Sequence, residues 1–259
     1  MLFAQLQITI VNIGLFVSLL FLLSVLVKRN DIADIAWGAG IFLVALISYI
    51  TGPQTAVTAL LAIIAGLWGM RLALRIFLRN RKKGEDFRYK QWRDTWGKWF
   101  YLRSLFQVYL FQGLLMIVIG YPFIHAAVYG ADSKLVTLSV LGVVVWCVGY
   151  FFEVVSDYQL DAFIKNPANK GAVMDQGLWK YSRHPNYFGE VTMWWGVWLI
   201  TLPLPFGLYA IISPLVITFL ILKVSGVPLL EKKFAGNPKF EAYKKRTSVF
   251  FPLPPKTTL

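Results

Sequence analysis

The sequence predicts an all-α, polytopic integral membrane protein, a bundle of about seven transmembrane helices. Three observations support this fold class. The chain of 259 residues is 57% hydrophobic and contains ten tryptophans, its mean hydropathy is +0.59, and long apolar runs recur along its whole length. This composition is typical of multi-pass membrane proteins rather than soluble domains, so we expect residues 1–259 to form a single membrane domain.

Seven apolar runs approach the length of about 20 residues that a helix needs to cross the hydrocarbon core of a bilayer. The second and the sixth are short, and glycine or proline interrupts or borders them. In chain order, the predicted segments are residues 8–27, 35–51, 56–78, 105–129, 135–155, 187–202 and 208–222.

The distribution of basic residues predicts the orientation of these segments. Of the 26 Lys and Arg residues, two lie inside the third segment and one, Lys134, lies between the fourth and fifth. All the others follow segments one, three, five and seven. Cytoplasmic loops collect Lys and Arg, so we expect the N-terminus outside and the C-terminus in the cytoplasm. In a bacterial cell the protein would lie in the plasma (inner) membrane.

The net charge of +13 bears on possible partners. Between residues 88 and 99, tryptophans are interleaved with basic residues. This pattern fits the interfacial belt of a membrane protein better than a nucleic-acid surface. We therefore expect membrane lipids and an anionic ligand as partners, and no nucleic acid.

Three carboxyl groups lie at the end of the fifth apolar segment and just beyond it, in the stretch "EVVSDYQLDAF". Glu153, Asp157 and Asp161 are spaced by four, which places them on one face of a helix. Such a row needs a partner, and an amide, a hydroxyl or an arginine is favoured over a metal ion because no histidine joins it. The alternative is a solvated face just outside the bilayer.

The stretch "GLWKYSRHPNYFGE", residues 177–190, carries polar residues before the sixth segment and in its first turns. Its proline can open a helix, and Arg183 and His184 would lie beside the helix N-terminus, where an anion is favoured. Asn186 and Glu190 are four apart and offer hydrogen-bonding groups on one face. The alternative is that the basic residues only mark the membrane border.

Asp34 lies at the head of the second segment, in "NDIADIAWGAG". It is a candidate helix cap or, alternatively, a proton donor at a cavity wall. The basic stretches 79–99 and 231–246 would anchor the chain at the membrane or close over an anionic cofactor. The common dinucleotide, P-loop, zincin and serine-hydrolase motifs do not occur in the sequence.

The motifs "SDYQL", "GLWKYSRHPNYFGE" and "FEAYKKRTSVFFP" resemble the steroid 5-alpha-reductase-like membrane proteins, in particular their bacterial branch, over residues 146–252. The resemblance implies NADPH bound among the later helices, so residues 131–259 would bind the cofactor and residues 1–130 the substrate. It assigns to NADPH four matched residues and five further, mostly basic ones: Asp157, Tyr181, Asn186 and Glu190, with Lys170, Arg183, His184, Lys245 and Arg246.

The resemblance also implies the reaction, an NADPH-dependent reduction of a carbon–carbon double bond. Steroid reductases use a glutamine–glutamate pair on an early helix and a tyrosine on the third helix. Neither is found at the matching positions of this sequence, where the tyrosine is expected near Leu72. Asp34 is the acid expected to replace the glutamate. The expected substrate is an apolar, lipid-like enone, a steroid or another.

A second resemblance leads to different chemistry. "RHPNYFGE" followed by "LLEKKF" and "EAYKKR" is similar to isoprenylcysteine carboxyl methyltransferases and related phospholipid methyltransferases, in which Arg183, His184, Tyr187 and Glu231 would bind S-adenosylmethionine. A non-catalytic lipid-binding or transport protein is the third alternative.

Overall fold

The computed structural model describes residues 1–81, 83–131 and 133–256, and they are helical almost throughout. No β-strand occurs within these ranges; one isolated parallel bridge joins Ser182 and Ser248. The all-α prediction is therefore confirmed. The chain forms two compact units: residues 1–136 with 201–213, called here the first unit, and residues 137–200 with 214–259, called the second.

Twelve α-helices occur in the described residues, along with short 3-10 and π-helical turns. In chain order they are α1 Leu2–Val27, α2 Ile32–Thr51, α3 Ala56–Asn80, α4 Phe87–Trp96, α5 Phe100–Ser104, α6 Phe111–Ile119, α7 Tyr121–Tyr129, α8 Thr137–Lys165, α9 Pro185–Thr201, α10 Ile212–Phe219, α11 Val227–Lys233 and α12 Pro238–Arg246.

Six helical segments in the described part of the chain are long and apolar enough to cross a membrane, so the chain is a multi-pass integral membrane protein. They are α1, α2, α3, the continuous run Phe87–Ile119, α8 and Gly207–Lys233. The remaining predicted segment, residues 187–202, corresponds to α9. With 17 residues, α9 is shorter than the roughly 20 that a straight helix needs to span the hydrocarbon core.

The fourth predicted segment differs from the structure at both ends. Helical structure begins at Phe87, not residue 105, because α4 is polar and gave no hydropathy signal; a π-helical turn, Leu105–Leu110, lies within the run. The run ends at Ile119, not residue 129. Gly120 ends α6, and α7 starts afresh with Pro122 in its first turn, where the missing N–H of proline is tolerated.

In the first unit, α2 packs most extensively on α3. The helices approach so closely at Gly38 and Gly69 that a Cβ on either residue would collide with the backbone of the other. Small residues permit such contact between membrane helices, where dispersion contacts drive packing. Ile41, Leu61 and Met116 are among the fully buried side chains of this unit.

In the second unit, α8 and α9 pack antiparallel along two glycine pairs. Gly142 lies against Gly196, and seven residues on, Gly149 lies against Gly189. The seven-residue spacing keeps both pairs on one helix face. This contact fixes the start of α9 beside the C-terminal half of α8.

We expect Gly149→Ala to destabilise the protein by roughly 1–3 kcal/mol, as overpacking does. The added Cβ would lie 2.6 Å from the Gly189 carbonyl oxygen and from the Met193 amide nitrogen. Gly14→Ala is the control, since nothing lies within 4 Å of a Cβ there. Thermal midpoints in detergent measure the effect, and equal midpoints for the two variants would contradict the close α8–α9 contact.

Candidate functional site

The C-terminal half of α8 carries buried polar residues and holds the loop that precedes α9. Glu153, Ser156 and Asp157 are all at least 95% buried. The backbone carbonyl of Ser156 accepts a hydrogen bond from the Trp179 indole N–H at 3.0 Å, and the Gln159 side-chain oxygen accepts one from the Leu178 amide at 3.0 Å. The loop is therefore fixed to α8.

Asp157 and Asn186 meet across α8 and α9. The Asn186 amide nitrogen donates a long hydrogen bond, 3.4 Å, to Asp157 Oδ1. An amide, one of the three kinds of partner that the carboxylate row suggested, thus bonds this carboxyl group. Asn186 Oδ1 is buried and has no hydrogen-bond partner among the described residues. Buried polar atoms are almost always paired, so this oxygen is an acceptor left available to a ligand.

Arg183 and Glu231 form an ion pair that joins the loop before α9 to α11. The Arg183 Nε and Nη2 atoms lie 2.8 and 2.7 Å from Glu231 Oε1. The side chains are 10% and 18% exposed, so solvent screens the pair only weakly. Arg183 Nη1 also donates to the backbone carbonyls of Thr247, at 2.6 Å, and Lys244, at 3.3 Å. The guanidinium therefore ties α11 and the end of α12 to the loop.

His184 lies next to this pair and is 96% buried. Its Nε2 atom is 3.4 Å from Glu231 Oε1, and its ring stacks on Tyr187 with the centroids 5.5 Å apart. Burial lowers the pKa of His184 to about 4, against the opposing effect of Glu231, so the ring is neutral at pH 7. Its buried Nδ1 makes no hydrogen bond within the described chain and can accept one when Nε2 carries the proton.

This lowered pKa makes stability depend on pH. In the unfolded chain, His184 binds a proton once the pH falls below its ordinary pKa of 6.5. In the folded protein, the ring stays neutral until the pH falls to about 4. Its contribution to stability is therefore full above about pH 6.5 and decreases as the pH falls towards 4, by ~3 kcal/mol in total. We expect His184→Gln to show a flatter stability profile in this window by chemical denaturation. Parallel wild-type and variant profiles would contradict a neutral buried ring.

The other residues assigned to the cofactor belong to the same unit. Tyr181 is 41% exposed, and Glu190 is half-buried on α9, one turn beyond Asn186. Lys170 and Lys245 are exposed, whereas Arg246 forms an ion pair with Asp175. The second unit thus contains all nine predicted cofactor residues. Four of them form two bonded groups: Asp157 with Asn186, and Arg183 and His184 with Glu231.

Asp34 belongs to a separate cluster in the first unit. Because α2 begins at Ile32, Asp34 lies within its first turn and is not the cap; the capping position is Asp31. Asp34 Oδ2 is 2.6 Å from Arg88 Nη2, and Asp34 Oδ1 accepts a hydrogen bond from the Tyr89 hydroxyl at 2.8 Å. Tyr89 is 98% buried. The sequence contained no signal for this pairing.

A second polar network fixes the turn between α1 and α2 in the same unit. The Asn30 amide donates to Glu85 Oε1 at 2.7 Å, and its side chain donates to the Ser104 hydroxyl at 3.2 Å. Arg93 pairs with Glu85 at 3.0 Å. These bonds join the loop after α3 to the α1–α2 turn, and this loop also holds Arg88 beside Asp34.

Tyr243 and Glu231 are the residues that the reductase resemblance missed in the second unit. The Tyr243 hydroxyl donates to the backbone carbonyls of Trp179 and Ser182, and burial raises the pKa of this tyrosine. A buried tyrosine on a short polar helix leaves no spacing signal. Glu231 was identified only through the methyltransferase resemblance.

A family model described as "Protein of unknown function (DUF1295)" matches residues 20–247 of the chain. The match covers both polar clusters. Searches among curated proteins and among solved structures found no match.

Proposed function

Since the chain belongs to the DUF1295 family, which is steroid 5-alpha-reductase-like, we propose that it is a membrane-embedded NADPH-dependent reductase of lipid-like enones. The observation that supports this most is the Asp157–Asn186 pair with its unsatisfied amide oxygen. These two residues lie at the positions that the resemblance assigns to NADPH.

The donor and acceptor types of the second unit suit this cofactor. Asn186 Oδ1 and His184 Nδ1 are buried acceptors, and the nicotinamide carboxamide and the ribose hydroxyls are donors. Pairing them would remove the desolvation penalty that each acceptor carries, about 1–3 kcal/mol. Tyr181 and Glu190 would contribute further polar contacts at this end.

The phosphate groups require cations that are not already committed to the fold. Arg183 is occupied by Glu231 and two carbonyl groups, so we assign it to holding the loop in place. Lys170 and Lys245, which are exposed, and Arg246, whose pair with Asp175 is 41% and 34% exposed, are the proposed phosphate ligands. Their contribution to affinity should decrease with added salt.

When bound, NADPH supplies a hydride to the β-carbon of the enone, and the developing charge on the carbonyl oxygen then needs a proton donor. We propose that Asp34 acts in this step together with Tyr89. Arg88 pairs with Asp34 Oδ2, and the Tyr89 hydroxyl donates its hydrogen bond to Asp34 Oδ1, so we assign the proton of this step to the phenol. Asp34 positions the phenol and balances the charge of Arg88.

We expect Tyr89→Phe and Asp34→Asn each to lower enone turnover roughly 10²-fold, the lower range of general acid catalysis. NADPH affinity should stay unchanged, because neither residue is assigned to the cofactor. Tyr101→Phe is the control, since Tyr101 is 42% exposed. Full turnover in the Asp34→Asn variant would remove this residue from the reaction.

The reductase itself is tested with NADPH deuterated at C4 and a panel of fatty, sterol and isoprenoid enones in proteoliposomes. The proposal predicts deuterium at the β-carbon of a saturated ketone. Saturated products without deuterium, or no reduction of any enone in the panel, would contradict the reductase proposal.

One observation favours the methyltransferase as a second candidate. Arg183, His184, Tyr187 and Glu231, the four residues of that resemblance, lie together in the second unit. In this alternative, they would bind S-adenosylmethionine. Transfer of a labelled methyl group to a lipid or an isoprenylated thiol would assign the protein to this class.

A further inference from the structure

The chain after α12 turns back and runs along the loop that precedes α9. We call residues 248–256 the C-terminal strap. The Arg183 amide donates to the Ser248 carbonyl at 2.8 Å, the Ser182 hydroxyl donates to the Phe250 carbonyl at 2.7 Å, and the Leu253 amide donates to the Tyr181 carbonyl at 3.0 Å. The strap is therefore held in a fixed position along the loop.

The strap buries one apolar side chain and exposes three. Phe250 is 6% exposed, whereas Val249, Phe251 and Leu253 are 40%, 64% and 55% exposed. The pattern is consistent with an extended segment whose alternate side chains point to opposite sides. The strap also contains three prolines, at 252, 254 and 255. Proline has no backbone N–H, so fewer backbone donors would need a hydrogen-bond partner if the strap left water.

Aromatic contacts place the strap level with the apolar part of the second unit. The Phe250 and Phe251 rings lie 5.7 and 6.1 Å from Phe188 in the first turn of α9, and Phe188 lies 5.1 Å from Phe152 of α8. Phe152 precedes Asp157 by five residues, a rise of about 7.5 Å along the membrane-length helix α8. Through Phe188, Phe251 therefore lies nearer to the apolar middle of α8 than Asp157 does.

Exposed lysines flank these apolar side chains in sequence. Lys245 precedes the strap, Lys256 ends it, and Lys180 adjoins Tyr181 on the loop that it follows; all three are exposed. Aromatic and aliphatic side chains bordered by lysine are typical of segments that lie in the bilayer interface, where anionic headgroups attract the lysines.

We propose that the C-terminal strap is an interfacial membrane anchor, with Val249, Phe251 and Leu253 inserted between lipid headgroups. The strap also bonds the backbone of residues 181–183, so the bilayer surface would hold the loop that carries Arg183 and His184. This proposal does not depend on which cofactor the second unit binds.

Spin labels test the position of the strap. The chain has one cysteine, Cys147, so a Cys147→Ser background allows single labels at Val249→Cys, Phe251→Cys and Leu253→Cys. Val144→Cys, 54% exposed on α8, is the lipid-facing control, and Ala168→Cys, at an exposed position of the loop after α8, is the aqueous control. Collisions with oxygen and with a water-soluble nickel chelate are compared in vesicles of mixed zwitterionic and anionic lipid.

We expect labels at Phe251 and Leu253 to favour oxygen over nickel at least several-fold more than the label at Ala168, approaching the ratio at Val144. Ratios equal to that at Ala168 would place the strap in water and overturn the proposal. Protection from both reagents would also overturn it, because the strap would then be covered by protein, such as a second copy of the chain. Unchanged gel-filtration profiles confirm that the labelled variants remain folded.

Discussion

Asn186→Leu should weaken NADPH binding by roughly 100-fold while leaving the protein folded. Leucine keeps the branching of asparagine at Cγ but removes both the donor to Asp157 and the buried acceptor Oδ1. A site built to hydrogen-bond a ligand loses about 1–3 kcal/mol for each buried polar group left unpaired. Titration of detergent-solubilised protein with NADPH, followed by fluorescence or calorimetry, measures the change.

Thr192→Val is the matched control for this variant. Thr192 lies on the same helix, and its hydroxyl donates to the Phe188 carbonyl of that helix at 2.7 Å. The substitution keeps the shape of the side chain and should leave NADPH affinity within about twofold of wild type. Normal NADPH binding in Asn186→Leu would count against the whole proposed cofactor site.

Arg183→Ala should have the largest effect on stability, a loss of roughly 3 kcal/mol. It leaves Glu231, which is 18% exposed, without its arginine, and removing one partner of a buried pair is strongly destabilising. It also frees the carbonyls of Lys244 and Thr247 at the end of α12. We expect a lower thermal midpoint and early proteolysis after α10.

Arg246→Ala is the corresponding control, because it removes an arginine whose ion pair with Asp175 is far more exposed, 41% and 34%. Exposed pairs contribute about 0–1 kcal/mol, so stability should barely change. If the two variants lose the same stability, Arg183 does not hold the second unit together in the way described here.

Hydropathy was sufficient to locate the helices that face lipid on one side. It placed α1, α2, α3 and α8 to within a few residues at one end or both, because uninterrupted apolar runs have few other uses. It failed at α4, whose sequence "FRYKQWRDTW" is polar and joins a membrane helix through short 3-10 and π-helical turns. The end of α6 was also missed, although Gly120 and Pro122 marked it.

The site was predictable where its residues are close in sequence, and not where they are distant. Spacing placed Asn186 and Glu190 on one helix face, and the family resemblance joined them to Asp157. Arg183 and Glu231 are 48 residues apart, and Asp34 and Arg88 are 54 apart; no periodicity relates such pairs. From the sequence, Arg183 was expected to bind a phosphate group of the cofactor. In the fold it pairs instead with the Glu231 carboxylate.

The identity of the small molecule that remains bound through purification decides whether the second unit binds NADPH or S-adenosylmethionine. The detergent-solubilised protein is denatured and its ligand identified by mass spectrometry, with added NADPH and S-adenosylmethionine competing for the empty fraction. We expect the wild type to retain a nicotinamide dinucleotide and Asn186→Leu to lose it. Retention of S-adenosylmethionine instead, lost on replacing Glu231, would contradict the reductase proposal and assign Arg183, His184, Tyr187 and Glu231 to the sulfonium cofactor.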